Sequence, residues 1–459
     1  MADQSERKSR KVLVASLIGS SIEWYDYLLY GMVAPLVFVK LFFPTTDATS
    51  GLLLTYVTFA LPFFVRPIGG IIFSHIGDKL GRKITLVLTL ALMGISTFLI
   101  GCLPDYATVG ILAPILLITL RCIQGLGLGG EWGGALLLAV EYSSPHNRGF
   151  FGSVPQMGVP IGLMLGTVTL LAVSALPEPS FLAWGWRVPF LLSAILVFVG
   201  LWIRQGLDET PVFRQAQEAG HLARVPLIET LRHHWRAVLQ AVGLKVVETA
   251  PFYVFSAFAI SYATLYVGFD KMVALYAVTL AALFTTMTIP LMGMLADRVG
   301  RKPLYIAGTL AIMAFAFPYF WLVSLGSPLW FTVATSVALA VCWAPTTAVL
   351  GTLYSEIFST SVRYTGVTLG FQIGSALAGG TAPLISTFLL ERFAHSWVPV
   401  AGYLVLVSSV SLCFIAATRE TRNLDLQTVA PYSSLRSTAG SPRGLIRTIR
   451  NRLRPYSTN

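Results

Sequence analysis

Two short loops of this 459-residue sequence are near copies of each other. GDKLGRK runs from Gly77 to Lys83, and ADRVGRK runs from Ala296 to Lys302. Asp78 in the first copy therefore matches Asp297 in the second, 219 positions later. An internal repeat at this distance predicts a chain built from two related halves.

Three further matches follow in the same order and at a similar offset. They pair Glu141 and Arg148 with Glu356 and Arg363, DETP at 208–211 with RETR at 419–422, and Gln156 in PQMG with Gln372 in FQIG. We therefore predict homologous halves at 1–206 and 237–418. A polar linker at 207–236 and a basic tail at 419–459 complete the predicted organisation.

The composition places most of the chain in lipid. It is 55% hydrophobic and 12% charged, with a mean hydropathy of +0.72, which is more apolar surface than one soluble core can hide. Twelve segments are long and apolar enough to cross a bilayer, at about 12–38, 50–76, 84–103, 110–140, 149–175, 186–204, 237–266, 272–295, 303–325, 328–354, 364–390 and 397–417. Because helices satisfy their own backbone groups in hydrocarbon, we expect an all-α protein with twelve transmembrane helices.

Basic residues predict the orientation of these helices. Of 32 lysine and arginine residues, 25 fall in loops on the side that carries both termini, and four fall on the other side, at Lys40, Arg187, Lys271 and Arg392. Short cytoplasmic loops are enriched in these residues, so both termini are predicted to be cytoplasmic. This asymmetry explains the net charge of +11, which then gives no reason to expect binding to nucleic acid.

The loop repeat, together with RCIQGLGLGG at Arg121 to Gly130, resembles the major facilitator superfamily. Other motifs are similar to its metabolite:proton symporter family, which includes shikimate, 2-oxoglutarate, citrate and proline/betaine permeases. These motifs are IEWYDY at 22–27, VRPIGG at 65–70, GGEWGGA at 129–135, WGWRVPF at 184–190 and ETPVF at 209–213. The resemblance implies proton-coupled uptake with the substrate bound between two rocking halves near the middle of the membrane. It does not name the substrate.

Seven charged residues fall inside the predicted helices, where each costs about 2.5 kcal/mol or more on insertion scales. They are Arg66, Arg121, Lys245, Glu23, Asp26, Glu131 and Glu248. Such residues should face the interior of the bundle and either form pairs or bind protons. All six histidines lie in loops or at helix ends, so the carboxylates are the candidate proton carriers.

Counting from the cytoplasmic helix ends places Glu23, Arg66 and Glu131 at one depth, roughly 15 Å into the membrane. We therefore expect Arg66 to bridge one or both glutamates, leaving Asp26, one turn outward from Glu23, as the proton site. An apolar setting favours the protonated form of a carboxyl group, and a neighbouring arginine favours its ionised form. In the alternative interpretation, the two glutamates only neutralise Arg66 and fix the bundle.

The remaining charges each have two open interpretations. Arg121 could bind a substrate carboxylate with its planar fork, or it could pair with Asp26. Lys245 and Glu248 could form an internal pair, or they could contact the substrate from the second half. With one or two carboxyl groups protonated, the cavity is neutral to cationic, which favours an anionic organic acid.

Uncharged residues complete the predicted pocket. They are Trp24, Tyr27, Tyr30, Gln156, Tyr253, Trp343 and Gln372. The two glutamines are the stronger candidates, because an amide in lipid needs a partner and they occupy equivalent places in the two halves.

A cytoplasmic charge network is predicted in each half. It contains Asp78, Arg82, Glu141 and Arg148 in the first half, and Asp297, Arg301, Glu356 and Arg363 in the second. Such a network could lock the outward-facing state and release when the halves rock. Alternatively, these charges only set topology.

Two segments have competing interpretations. GLGLGG in the fourth helix predicts close helix packing; no strand precedes it, so a dinucleotide loop is disfavoured. The segment at 441–456 of the tail is basic and amphipathic, and it is either a helix on the anionic inner leaflet or disordered.

We therefore expect a monomeric, multi-pass transporter of the bacterial inner membrane that takes up a small organic anion with protons. The alternatives are a compatible-solute symporter for a proline- or betaine-like zwitterion, and a nutrient sensor that does not transport. An enzyme is not expected, since there is no nucleophile and base pair, phosphate loop or metal cluster. No cofactor is expected either.

Overall fold

The computed structural model describes residues 2–44, 48–80, 82–141, 143–144, 146–205, 226–358, 362–422 and 424. All regular secondary structure in these ranges is helical. We number the twelve membrane-crossing elements α1 to α12 in chain order. A short helix, Pro226–His233, lies between α6 and α7.

The bounds of the first six elements are as follows. They are α1 (Ala2–Val33, continued by Ala34–Phe38 and Val39–Leu41), α2 (Ala48–Leu80), α3 (Arg82–Gly101), α4 (Leu112–Gly129 and Trp132–Glu141), α5 (Arg148–Ser153, Pro155–Met157 and Gly158–Ser174) and α6 (Phe181–Gly185 and Arg187–Gln205). Short helices at Tyr106–Val109 and Glu178–Ser180 precede α4 and α6.

The second six follow the same order. They are α7 (Trp235–Tyr253, Val254–Phe258, Ala259–Ser261 and Tyr262–Val267), α8 (Lys271–Val299), α9 (Arg301–Ser324), α10 (Pro328–Val337, Ala338–Trp343 and Ala344–Ile357), α11 (Arg363–Ala378 and Thr381–Arg392) and α12 (Val398–Ala417).

Eleven of these elements, α2 to α12, are long and apolar enough to cross a membrane within the described part of the chain. The twelfth, α1, is long enough but carries buried carboxylates that lower its hydropathy. Its helix begins at Ala2, about ten residues before the predicted start, because the first residues include good helix formers and neither glycine nor proline. The predicted all-α fold with twelve crossings is confirmed.

Helix packing repeats between the halves. In the first half α1 packs on α5, α2 on α4 and α3 on α6; in the second half α7 packs on α11, α8 on α10 and α9 on α12. The halves meet where α5 contacts α8 and, symmetrically, where α11 contacts α2. The repeat of sequence is therefore a repeat of structure.

Several helices predicted as continuous are interrupted. The segment at 110–140 was expected to be one helix, but α4 breaks at Gly130 and Glu131, and α11 breaks at Gly379 and Gly380. Glycine lacks the side chain that would favour continuing the helix, so paired glycines permit both breaks. Stretches of π-helix at 34–38, 254–258 and 338–343 lie beside prolines, which remove a backbone donor from the helical ladder.

The predicted close packing of the α4 glycines is confirmed at the crossing with α2. A Cβ atom added at Gly129 would lie 2.1 Å from the backbone oxygen of Arg66, and one added at Gly69 would lie 2.1 Å from that of Leu126. Only glycine allows the two backbones to approach this closely. The crossing fixes Arg66 relative to α4.

Some predictions fall outside what the structure describes. Most of the linker, at 206–225, and the basic tail beyond 424 lie outside the described residues. Asp78, Arg82 and Glu141 lie on helices, but their side chains are outside the described part.

Candidate functional site

The centre of the bundle contains two buried arginines that share an aromatic ring. The guanidinium carbon of Arg66 on α2 lies 4.1 Å from the ring centre of Tyr27, and that of Arg121 on α4 lies 4.9 Å from the same ring. Their side chains are 1% and 0% exposed. Two like charges therefore lie close together in a water-poor interior, where each costs free energy unless an anion accompanies it.

Arg66 is placed differently from the sequence prediction. Its guanidinium lies between the rings of Tyr27 and Phe63, 4.1 Å from each centre, and its Nε and Nη2 atoms have no hydrogen-bond acceptor. The expected bridge from Arg66 to Glu23 or Glu131 is absent from the ion pairs of the described residues, so that prediction was wrong. Aromatic faces take the place of carboxylates, through cation–π contacts worth about 0.5–2 kcal/mol each.

Arg121 is oriented by Gln124, which the sequence analysis missed. The Nη1 group of Arg121 donates to Oε1 of Gln124, and the Gln124 amide donates to the backbone oxygen of Asp26 at 2.9 Å and to Thr97 Oγ1 at 2.8 Å. The Nε and Nη2 atoms of Arg121 have no acceptor, and its guanidinium faces Tyr30 at 4.2 Å. The spacing Arg-x-x-Gln on a helix was the signal that could have identified Gln124.

Asp26 is fully buried, and neither of its carboxylate oxygens has a hydrogen-bond partner among the described residues. It forms no ion pair with Arg121 there, so the proposed pairing of these two residues is not present. The backbone around it is well fixed, because Gln124 bonds its carbonyl and the neighbouring Tyr25 donates to the Pro189 oxygen at 2.5 Å. An ionised carboxylate in this setting is costly, and a protonated one is much less so.

Glu23 and Glu131 are also buried, at 2% and 1% exposed. Thr89 on α3 donates to Glu131 at 3.4 Å. Glu131 lies at the break of α4, between its two segments.

Lys245 and Glu248 on α7 form an internal ion pair, as one of the two interpretations held. Thr249 at 2.8 Å and Thr347 at 3.1 Å also donate to the Glu248 carboxylate, which is therefore well satisfied. Lys245 Nζ lies 3.7 Å from the ring centre of Phe371. This pair is neutral overall and includes neither of the two arginines.

Aromatic residues from both halves close the centre. Tyr253 of α7 contacts Phe59 and Phe63 of α2, with ring centres 5.4 and 5.5 Å apart. The hydroxyls of Tyr27 and Tyr253 lie close to the arginines, and neither has a hydrogen-bond partner of good geometry among the described residues. Phe59 and Phe63 were not predicted. Phe59 lies one turn before Phe63, and Phe63 lies one turn before Arg66, which is the pattern of a single helix face.

The two predicted glutamines connect the halves in equivalent ways. Gln156 of α5 donates to the Thr347 oxygen on α10 at 3.3 Å, and Gln372 of α11 donates to the Gly129 oxygen on α4 at 3.0 Å. Trp132, which the prediction missed, donates to Gln156 at 3.2 Å and stacks on Phe371 with ring centres 3.6 Å apart. Trp343 donates to the backbone oxygen of Glu248, and Trp24 contacts Tyr27 edge-on at 6.3 Å.

Charged residues join the halves at the end of the bundle that carries the chain termini. Arg148 pairs with Glu356 at 3.1 Å across the interface, and Arg301 lies 3.5 Å from the same carboxylate. Asp297 of α8 accepts hydrogen bonds from the backbone N–H groups of Gly149 at 2.8 Å and Phe150 at 3.0 Å, in the first turn of α5. Arg301 also pairs with Asp297 at 3.1 Å. Arg363 bonds the Phe358 oxygen at 3.2 Å.

The RETR segment takes part in this network, which the prediction did not foresee. Glu420 accepts from the N–H groups of Arg301 and Lys302 at 2.9 and 3.0 Å, at the start of α9. Thr421 donates to Glu356 at 2.5 Å, and the Leu424 oxygen accepts from Arg148 at 3.0 Å. The match between RETR and DETP was the available signal.

Contacts also join the halves at the opposite end. Tyr56 of α2 and Ser261 of α7 form a hydrogen bond, and Thr279 of α8 donates to Thr167 of α5 at 2.7 Å. Lys271 lies 4.2 Å from the ring centre of Phe181, again across the interface. Both ends of the bundle are thus held together around the two arginines.

Comparison with known proteins agrees with this architecture. Residues 11–234 match the family model described as sugar (and other) transporter. The chain is 41% identical to the shikimate transporter of Escherichia coli K12, over 87% of this chain and 92% of that protein. It is 34% identical to the proline/betaine transporter of Salmonella typhimurium, over 93% and 87%. The structure of the proton:xylose symporter XylE has a TM-score of 0.72 at 18% identity, covering 94% of this chain and 99% of that one.

The fold and its central charged site define a membrane transporter of two six-helix halves. The chain belongs to the major facilitator superfamily, in the group that contains shikimate, metabolite and proline/betaine transporters. It is not an enzyme, and it is a multi-pass protein of the inner membrane, as expected. Similarity to XylE supports the fold alone.

Proposed function

We propose that this protein takes up a small organic acid together with protons by alternating access. The observation that carries the proposal is the pair of buried arginines, Arg66 and Arg121, neither of which has an acidic partner among the described residues. Their free donor groups suit a carboxylate, because a guanidinium fork can bind both carboxylate oxygens. A bound substrate anion would balance the positive charge of the two arginines.

Relatives of the chain agree with a carboxylate ligand. Shikimate, proline and betaine, named for the transporters that this chain resembles, each carry one carboxylate. The body of the solute differs between these transporters. The carboxylate is therefore the feature we assign to the substrate of this protein.

Asp26 supplies the proposed proton site. A buried carboxyl group without a partner is costly when ionised, so a proton reduces the cost of keeping it in the interior. Charge networks at the end bearing the termini, and the hydrogen-bonded contacts at the other, provide the two gates that alternating access needs. Each gate joins the same two halves.

The second candidate is a symporter for a zwitterion, and the similarity to proline/betaine transporters favours it. A zwitterion would place its cationic end on aromatic rings. Several rings near the centre already face a guanidinium group, which leaves them less suited to a second cation. We therefore favour the anion.

Uptake by proteoliposomes tests both candidates. The purified full-length protein should accumulate an organic acid above equilibrium under an inward proton gradient, and a protonophore should abolish the accumulation. The panel should contain shikimate, 2-oxoglutarate, citrate, proline and glycine betaine. Accumulation of glycine betaine alone would support the second candidate, whereas equilibration without accumulation would refute proton coupling.

A further inference from the structure

We infer that Arg66 and Arg121 bind the same carboxylate group of the substrate, jointly with the hydroxyls of Tyr27 and Tyr253. This rests on the proposed function and states how the substrate is selected. The carboxylate itself is the recognised element, and the rest of the molecule contributes less. Gln124 acts as a positioning residue for Arg121.

The first argument is geometric. Both guanidinium groups contact the ring of Tyr27, at 4.1 and 4.9 Å, so a single small group at the ring edge can reach both. Each arginine has free donors at Nε and Nη2, and a carboxylate has about four lone-pair positions for them. One carboxylate can therefore accept from both arginines.

The second argument concerns the hydroxyl groups. Tyr27 and Tyr253 are 0% and 1% exposed, and their hydroxyls have no hydrogen-bond partner in the described structure. A buried hydroxyl without a hydrogen-bond partner is unusual, and a bound anion would supply the acceptor that it lacks. The unpartnered groups of the two arginines and the two tyrosines are all able to donate, which suits an anion.

The third argument concerns the division between the halves. Arg66, Arg121 and Tyr27 belong to the first half, whereas Tyr253 belongs to α7 of the second. Tyr253 packs on Phe59 and Phe63, beside the arginines. A carboxylate bound there touches both halves, so its binding favours their approach.

Neither arginine forms an ion pair with an acid among the described residues, so glutamine substitutions leave no orphaned acid in that part of the chain. We therefore expect Arg66→Gln and Arg121→Gln to fold, and thermal unfolding of the purified variants would check this. Lys40→Gln is the matched control, since Lys40 loses an exposed pair with Glu178 far from the site. Tyr253→Phe removes one hydroxyl and keeps the ring.

The test uses cyclohexanecarboxylate, cyclohexanecarboxamide and succinate as probes, each competing with the organic acid that proteoliposomes accumulate. Cyclohexanecarboxylate should compete and the carboxamide should not. Each arginine substitution alone should weaken competition by cyclohexanecarboxylate about 10- to 100-fold, because hydrogen bonds to charged groups are strong. Tyr253→Phe should weaken it less, and Lys40→Gln should have no effect.

Three outcomes would overturn the shared carboxylate. In the first, competition by cyclohexanecarboxylate is weakened by substitution of only one of the two arginines. In the second, the carboxamide competes as well as the carboxylate. In the third, succinate competes and cyclohexanecarboxylate does not. In each case uptake of an organic acid still stands, so the proposed function survives. If no organic acid is accumulated, the proposed function itself fails.

Discussion

Asp26 is an acid of the centre whose two carboxylate oxygens both lack a hydrogen-bond partner within the described chain. Its neighbours fix the backbone and not the carboxylate, because Gln124 bonds the carbonyl oxygen. The side chain is therefore free to change its protonation state without breaking a structural contact. This property suits a proton carrier more than a structural residue.

Asp26→Asn should abolish accumulation driven by a pH gradient and leave exchange of preloaded substrate intact. The asparagine is nearly the same size and mimics the protonated acid, so folding should be unaffected. Uptake and counterflow in the same proteoliposomes measure the two activities. Glu178→Gln is the control, because this carboxylate lies in an exposed pair with Lys40. Undiminished accumulation by Asp26→Asn would exclude this residue as the proton site.

Among the elements, α2 and α4 are joined by the closest backbone approach near the site. Arg66 and Arg121 lie on these two helices, so their separation depends on the glycines at the crossing. A side chain at Gly129 would collide with the backbone of Arg66, which cannot move aside as a flexible side chain can. The glycine-rich sequence therefore sets the geometry of the two arginines.

Gly129→Ala should destabilise the protein by on the order of 2 kcal/mol and lower uptake, because overpacking forces the helices apart. Gly402→Ala is the matched control, since a Cβ atom there meets nothing within 4 Å. Thermal unfolding in detergent compares the two variants. Equal stability would mean that α2 and α4 can separate at little cost.

At the scale of the whole molecule, the halves are joined at both ends while the centre is enclosed. Asp297 is the clearest connection at the end bearing the termini, because it caps the first turn of α5 from the opposite half. The positive end of the α5 helix dipole strengthens this contact. Rocking of the halves must break it.

Asp297→Asn should weaken this connection and shift the protein toward the state that is open at that end. Hydrogen–deuterium exchange of the peptide covering 148–153 should rise, because asparagine keeps only one acceptor oxygen and one of the two capped amides loses its partner. Asp270→Asn is the control: Asp270 accepts from Met272 N at 2.7 Å at the start of α8, at the other end of the bundle. Unchanged exchange in Asp297→Asn would show that the cap does not restrain opening.

Sequence patterns determined the architecture because lipid imposes simple rules. Apolar length predicted the helices, the repeat of Asp78 at Asp297 predicted the halves, and glycine pairs four apart in the fourth helix predicted close packing. The same reasoning identified Arg66, Arg121 and Asp26, since charges within apolar helices are rare enough to stand out. These inferences depend on composition, local pattern and repetition along the chain, and none of them depends on how the helices pack.

Only the tertiary structure decided which of those charges are paired. Arg66 at a common depth with Glu23 and Glu131 suggested a bridge, yet depth does not fix the direction in which a side chain points. The orientation of α2 in the bundle directs Arg66 toward Tyr27 of α1 instead, and Phe63 of α2 itself covers the guanidinium as well, while Lys245 meets Glu248 within one helix. Contacts between distant helices depend on how they rotate and cross, and these are properties of packing that a single sequence does not reveal.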